Sequence, residues 1–223
     1  GKNFSEACAW KLAGGMPDSV KGITVQPIEP PLDCEIVFSS LPSAVARDTE
    51  EAFARAGFPV ISNSSVYRMD ADVPLLIPEI NAEHLGLIEV QQKKRGFGKG
   101  FIVTNPNCAV ASFAPPLAAL HRKFGVESVA VTTMQAISGA GYPGVSAMDI
   151  TDNVLPYIAG EEPKVETEAQ KILGVFRDGA IEKADFTVSA QCFRVDVIDG
   201  HTASVRVDLK KSATMEDVIE TMK

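Results

Sequence analysis

The sequence holds 223 residues, 45% of them hydrophobic, with a mean hydropathy of +0.07 and a formal net charge of −8. That is enough chain for a sizeable core in one large or two modest domains. The acidic balance disfavours nucleic acid or an anionic membrane as the main partner, and no apolar run approaches the roughly 18 residues of a membrane span. Cys8, Cys34, Cys108 and Cys192 form no CxxC pair and no zinc-ligand spacing, and no signal peptide stands out. The expectation is a reducing, cytoplasmic setting with free thiols and no metal. The chain opens on GKNFSEACAW without Met and closes on a helical DVIETMK, so both ends read as cut from something longer.

In chain order, CEIVFSS (34–40) reads as a buried strand broken by LPS, and AVARDTEEAFARAG (44–57) as an amphipathic helix capped by Gly57. FPVIS (58–62) is the next strand. This alternation predicts a parallel sheet with crossover helices. The stretch 63–81 is too polar and too rich in Pro for regular structure, NAEHLGLIEVQQKK (81–94) predicts one helix, and GFIVT (100–104) another strand.

Beyond residue 104 the texture changes. VESVAVTTMQA (126–136), DFTVSAQCFRVDVID (185–199) and TASVRVDLKK (202–211) alternate as strands, the last two joined at a Gly-His turn as antiparallel neighbours would be. Helices are expected over 165–176 and in TMEDVIETM at the end. The fold class is therefore α/β: a partial Rossmann-like parallel sheet in residues 1–104, then an α+β part with a large, mainly antiparallel sheet in 105–223.

Cys108 follows Asn-Pro-Asn at the end of a strand, and the apolar run after it opens a helix that must kink or restart at Pro115 and Pro116. A thiol there feels the helix dipole and lies where open α/β sheets place ligands, beyond the carboxyl end of a strand. From this stretch alone, a nucleophile and a structural cysteine are equally good readings. His201 at a strand turn, Arg194 seven residues earlier, Gln135 ahead of the Gly-rich SGAG loop, Arg68 in the polar stretch, and Glu161 and Lys164 before a helix are each individually modest candidates. Arg194 suits bidentate capture of a carboxylate. Surface pairs, caps and structural amides remain open for all of them.

Taken together and in order, TNPNC, QAISGAGYPG, DNVLPYIAGEEPKVETEAQKILG and CFRVDVIDGHT resemble aspartate-semialdehyde dehydrogenase of the archaeal and fungal branch. FSSLPS, SNSSVYRMDADVPLLIPEIN and KKRGFGKGFIVTNPNC extend the likeness over nearly the whole chain. The resemblance implies NADPH-dependent reduction of L-aspartyl 4-phosphate to L-aspartate 4-semialdehyde and phosphate, on the route to lysine, threonine and methionine. It implies Cys108 as the nucleophile that forms a thioester, His201 as general acid/base and Gln135 as the group orienting the intermediate. Arg194, Glu161, Arg68, Lys164 and Asn107 are implied to bind substrate, and Ser39, Ser40, Leu41, Ser138 and Gly139 to lie near NADP. A homodimer or homotetramer is implied too.

The family's N-terminal GxxGxVG-type loop and its C-terminal segment are expected to be absent from this chain. Ala109 stands where relatives usually carry Ser or Thr, and Phe193 where this branch often has Asn. Three rival readings remain. One is a malonyl-CoA reductase of the same family, the second an inactive fragment serving as an oligomerisation module, and the third a thiol redox sensor.

Overall fold

The computed structural model describes residues 1–223, which divide into two compact units, Gly1–Asp33 and Cys34–Lys223. The first is small. Helices α1 (Phe4–Ala7) and α2 (Asp18–Lys21) are joined by turns, and an isolated bridge pairs Asn3 with Thr24.

The second unit contains two main sheets. Strands β1 (Val37–Ser39), β2 (Pro59–Ser62) and β3 (Phe101–Thr104) form a parallel sheet in that order, with Val37 opposite Val60 and Val60 opposite Ile102. The expected crossover helix is α3 (Ser43–Arg55). It buries Ala46, Glu50, Phe53 and Ala54, a stripe at helical spacing, against the sheet. The single helix expected over 81–94 divides instead. A short helix α4 (Pro78–Asn81) and a 3₁₀ turn at Ala82–Gly86 precede α5 (Leu87–Arg95). Buried His84 is held both by its neighbour Asn81 and by the distant carbonyl of Gly174, which tightens the turn around it.

Helix α6 (Cys108–Phe124) runs through Pro115 and Pro116 as one helix, so the expected restart does not occur. Its buried face, Ala109, Val110, Phe113, Ala114, Leu117 and Ala118, packs on β4 (Val126–Gln135) and on α8 (Glu162–Ile172). Small residues at 109, 114, 118 and 169 let these elements approach closely. Each large apolar side chain fully buried there contributes about 1.5–3 kcal/mol. Short elements α7 (Ala147–Ile150) and β5 (Val154–Leu155) lie between β4 and α8, and the hairpin β6 (Val175–Arg177) and β7 (Ala180–Glu182) follows α8. Helix α8 begins and ends earlier than the expected 165–176, because Val175 and Phe176 enter that hairpin.

The second sheet has the order β5-β8-β4-β9, with β8 (Thr187–Val195) and β9 (Thr202–Leu209). The expectation that β8 and β9 are neighbours is corrected here. Strand β4 lies between them, parallel to β8 and antiparallel to β9. Two of the three pairings are antiparallel, β5–β8 and β4–β9. Helix α9 (Met215–Met222) ends the chain, opened by a Thr214–Asp217 capping box.

Polar clamps hold the loop after β2. Asp72, 3% exposed, accepts from Arg95 Nε at 2.5 Å and Nη2 at 2.8 Å. These bonds outweigh the opposing effect of burial and lower the Asp72 pKa from 3.8 to about 2. A carboxylate whose folded pKa lies below its unfolded value stabilises the fold above that unfolded value and loses the effect as pH falls through the folded one. Asp72 is therefore expected to contribute about 2 kcal/mol above about pH 4, lost by about pH 2. Chemical denaturation of wild type and D72N as a function of pH checks this: the stability gap should close over that window, and a gap independent of pH would refute the assignment.

Candidate active site

Three loops leave the carboxyl ends of β1, β2 and β3, and all three line one cleft of about 670 Å³. They supply Leu41–Ser43, Asn63–Ser65 and Pro106–Cys108. Arg68, Gly139, Ala140, Glu161 and Lys164 complete the lining. The strand ends are tied by side-chain amides: Asn105 Nδ2 donates to Asn63 Oδ1 at 2.6 Å, and Asn63 Nδ2 donates to Ser40 Oγ at 2.9 Å. A second hollow, of about 310 Å³ between α6, β9 and α9, is lined by apolar side chains alone. Of these two, the first is the one on which reactive groups converge.

Cys108 is the first residue of α6. Asn107 caps the helix, its Oδ1 accepting from Ala109 N at 2.8 Å and from Val110 N at 3.4 Å. The sulfur is open to the cleft and lies 3.2 Å from His201 Nε2. His201 arrives from the other side of the molecule, at the turn before β9. Gly200 makes that turn with φ +90°, a conformation that favours glycine. The Ala136 N–H donates to His201 Nδ1 at 3.1 Å. Nδ1 is therefore the unprotonated nitrogen, and the proton of the neutral ring sits on Nε2, facing the sulfur.

Arg194 on β8 lies opposite Gln135 at the end of β4 and donates to Ala136 O at 2.7 Å. Arg194 and His201 do meet at one edge. A Cβ on Gly139 would lie 2.9 Å from Arg194 Nη1 and 2.8 Å from His201 Cε1, so a side chain there would have to displace the tips of both.

Glu161 sits at the start of α8, where it accepts from Asn107 Nδ2 at 2.6 Å, Gln135 Nε2 at 3.2 Å and Lys164 Nζ at 3.2 Å. Burial raises its pKa, but the Asn107 hydrogen bond and the Lys164 charge prevail, and the group is held ionised. Arg68, 8% exposed, donates to Glu168 Oε1 at 3.0 Å and to Asn63 O at 2.8 Å, and its Nε has no partner.

Of the residues named from sequence, Cys108, Arg68, Lys164, Glu161, Asn107, Leu41 and Gly139 line the cleft. Gln135, Arg194 and His201 adjoin it through the contacts above. Ser40 and Ser138 are exposed on the flanking loops. Ser39 is buried, and its hydroxyl donates to Glu50 Oε1 at 2.6 Å, so it lies beneath the cleft wall. The sequence reading missed Glu168 and Lys171. Both stand on the buried stripe of α8 marked by Val165, Ala169 and Ile172, and a charge at such a position is the signal that was available.

Two family models match the chain: semialdehyde dehydrogenase, NAD binding domain, over residues 1–88, and semialdehyde dehydrogenase, dimerisation domain, over 117–223. Cys108 falls between them. The chain is 53% identical over 218 residues to aspartate-semialdehyde dehydrogenase of Archaeoglobus fulgidus, covering 97% of this chain and 63% of that one. It is 47% identical to aspartate-semialdehyde dehydrogenase of Methanothermobacter thermautotrophicus, covering 100% and 64%. A crystal structure of aspartate semialdehyde dehydrogenase with NADP from Candida albicans superposes with a TM-score of 0.88 at 41% identity, over 99% of this chain and 65% of that one. A malonyl CoA reductase (NADP) of Metallosphaera sedula is 40% identical. The chain thus spans a little under two thirds of the length of these relatives.

The sequence led to the expectation of a thiol activated by the helix dipole. Instead, the surrounding protein and then the Glu161 charge push the Cys108 thiol above its ordinary 9.0, against the pull of the Ala109 and Cys108 amides and of Arg194. Burial, and then the Arg194 charge, lower the pKa of His201 below its ordinary value, so the resting pair is a neutral thiol and a neutral imidazole. Alkylation of Cys108 by iodoacetamide, resolved by peptide mass, is expected to climb with pH without a plateau below pH 9. In H201A, which removes the N–H facing the sulfur, the midpoint should move up by about one unit. A wild-type plateau near pH 7 would refute both statements.

Proposed function

We propose that this chain, which belongs to the semialdehyde dehydrogenase family, carries the catalytic centre of an aspartate-semialdehyde dehydrogenase. In the whole enzyme it takes part in the conversion of L-aspartyl 4-phosphate to L-aspartate 4-semialdehyde and phosphate, in lysine, threonine and methionine biosynthesis. The observation that carries the reading is the 3.2 Å approach of His201 Nε2 to Cys108 Sγ at the mouth of a cleft lined by Arg68, Glu161 and Lys164.

Cys108 gives up its proton to solvent in the open cleft, and the thiolate Sγ attacks the carbonyl carbon of the acyl phosphate. As the tetrahedral adduct collapses, the bond to the phosphate oxygen breaks and a thioester remains on the protein. His201 begins with its proton on Nε2 and so faces the sulfur as a donor, which favours thiolate as nucleophile and later as leaving group. Gln135, held by Thr133 and Glu161, orients the acyl group.

Ionised Glu161 receives the substrate ammonium, which gives a reason to prefer an amino-acid substrate to malonyl-CoA despite the 40% identity to a malonyl CoA reductase. Arg194 makes no ion pair within the chain, and we assign it the substrate carboxylate. Arg68 and Lys164 take the phosphate, and Asn107, whose polar atoms are all engaged within the chain, lines their side of the cleft.

For NADP, the test of fit is the cleft itself: Leu41 and Gly139 face it, and the absence of a side chain at Gly139 leaves the Arg194 and His201 tips in place beside it. Ser40 and Ser138 flank these loops, while Ser39 supports the wall through Glu50. NADPH, when bound, supplies the hydride that reduces the thioester.

We divide the chain for this purpose into a cofactor part, 1–104, and a catalytic and association part, 105–223. The face of the second sheet away from α6 exposes Ser, Thr and Ala side chains such as Ala130, Thr187, Ser189 and Ser204, and we assign it to a homodimer or homotetramer. The four free cysteines suit the cytoplasm.

In the full-length enzyme, C108A should lose turnover by at least about a thousand-fold with circular dichroism unchanged. Substantial residual rate would exclude covalent catalysis through this residue. R194K should raise the KM for the semialdehyde and lower kcat while leaving NADP affinity within about two-fold, because a point charge replaces a planar fork. Unchanged semialdehyde kinetics would remove the carboxylate assignment.

A further inference from the structure

Helix α8 carries two buried charged residues that touch neither the cleft nor solvent. Glu168 is 1% exposed and Lys171 3%. Burying such groups is costly unless each is fully partnered, and their partners explain what they hold. Glu168 Oε1 accepts from Arg68 Nη1 at 3.0 Å, and Glu168 Oε2 accepts from the backbone N–H of Asn107 at 2.6 Å. Lys171 Nζ, one turn further on, donates to the carbonyls of Arg68, Asp70 and Val73 at 2.7, 2.8 and 2.8 Å.

We propose that Glu168 is a positioning residue which fixes Arg68 against the start of the Cys108 helix, with Lys171 anchoring the Arg68 loop to the same helix. This rests on the reading of Cys108 as nucleophile and Arg68 as phosphate ligand. One carboxylate bridges the two, so the spacing between the anion-binding group and the attacking sulfur is set by a single rigid side chain. Glu161 and Lys164 lie at the start of α8, and the groups on both sides of the cleft therefore refer to one helix. Arg68 has donor capacity left for a ligand, since Nη1 and Nη2 each make one bond within the chain and carry two protons each.

The test uses the full-length enzyme. In E168Q the volume is kept, but one of the two accepting oxygens becomes an NH2 group, so either Arg68 or the Asn107 N–H faces a donor in place of its acceptor. The KM for inorganic phosphate in the semialdehyde-oxidising direction is expected to rise about ten-fold, and peptide-resolved alkylation of Cys108 to slow about three-fold or more. K171M acts on the Arg68 loop and not on Asn107. It should raise the phosphate KM while leaving alkylation at the wild-type rate, a split that general loss of stability does not produce.

A folded E168Q with both readings within about two-fold of wild type would overturn the proposal, as would a K171M that slows alkylation as much as E168Q. If E168Q does not fold, R68M/E168Q removes both charges together, and unchanged alkylation there counts equally against it. A wild-type enzyme with no phosphate-dependent oxidation of the semialdehyde would defeat the catalytic reading instead, while the alkylation arms would still decide the role of Glu168.

Discussion

The site depends on one residue that does no chemistry. Asn107 stands where β3 gives way to α6, and each of its polar groups is engaged within the chain. Its N–H goes to Glu168, its carbonyl accepts from Ala111 N, its Oδ1 caps the helix at Ala109, and its Nδ2 holds Glu161. An N-cap of this kind is ordinarily worth about 0.5–2 kcal/mol to its helix. Here it also joins the parallel sheet, the Cys108 helix and α8 at one point. A residue without this amide would leave the buried Ala109 N–H without its cap and take from Glu161 one of its three partners, a cost in each case. The position of Cys108 follows from this arrangement, since the sulfur is carried by the next residue in the chain.

The second sheet completes the site from the opposite direction. Strand β4 is shared: β8 pairs with it in parallel and brings Arg194 level with Gln135, while β9 pairs antiparallel and begins just after His201. The peptide around Ala136, at the end of the shared strand, then touches both. Its carbonyl receives Arg194, and its N–H fixes the tautomer of His201. A backbone amide on Nδ1 disfavours a second proton there. The ring is thereby kept neutral with its remaining proton at the sulfur, which a side-chain carboxylate on Nδ1 would not achieve.

Much of this was legible in the sequence, and what was not has physical reasons. The strand–helix–strand pattern of residues 34–62 and the helix after NPNC are found, but the expected buried strand over 34–40 is only Val37–Ser39 and leaves Ile36 and Phe38 exposed, because β1 is an edge strand. Alternation shows which face of a strand is buried but not which strand lies beside it, so the insertion of β4 between β8 and β9 was invisible. Pro115 and Pro116 read as a break, yet packing of the α6 face from Val110 to Leu120 holds one helix through them. Residues 165–176 read as a helix, and the order of VETEAQKIL does place Glu168 and Lys171 on its apolar stripe. What it could not give was their partners, which lie 61 to 103 residues away in the chain.

The charges of the cleft divide in a way that suits an acidic protein handling an anion. Arg68 and Lys164 are each paired with a glutamate of the α8 region, so their positive charge is largely balanced before any ligand arrives. Such pairing holds a cation in place at the expense of attraction. Arg194, 5% exposed, has a carbonyl and no carboxylate as its partner within the chain. A buried guanidinium without a counter-ion carries a desolvation cost that an incoming carboxylate relieves. On the proposed reading, the two paired cations would orient an anion by geometry, whereas Arg194 would add a net attraction that depends on the ligand bringing the missing charge.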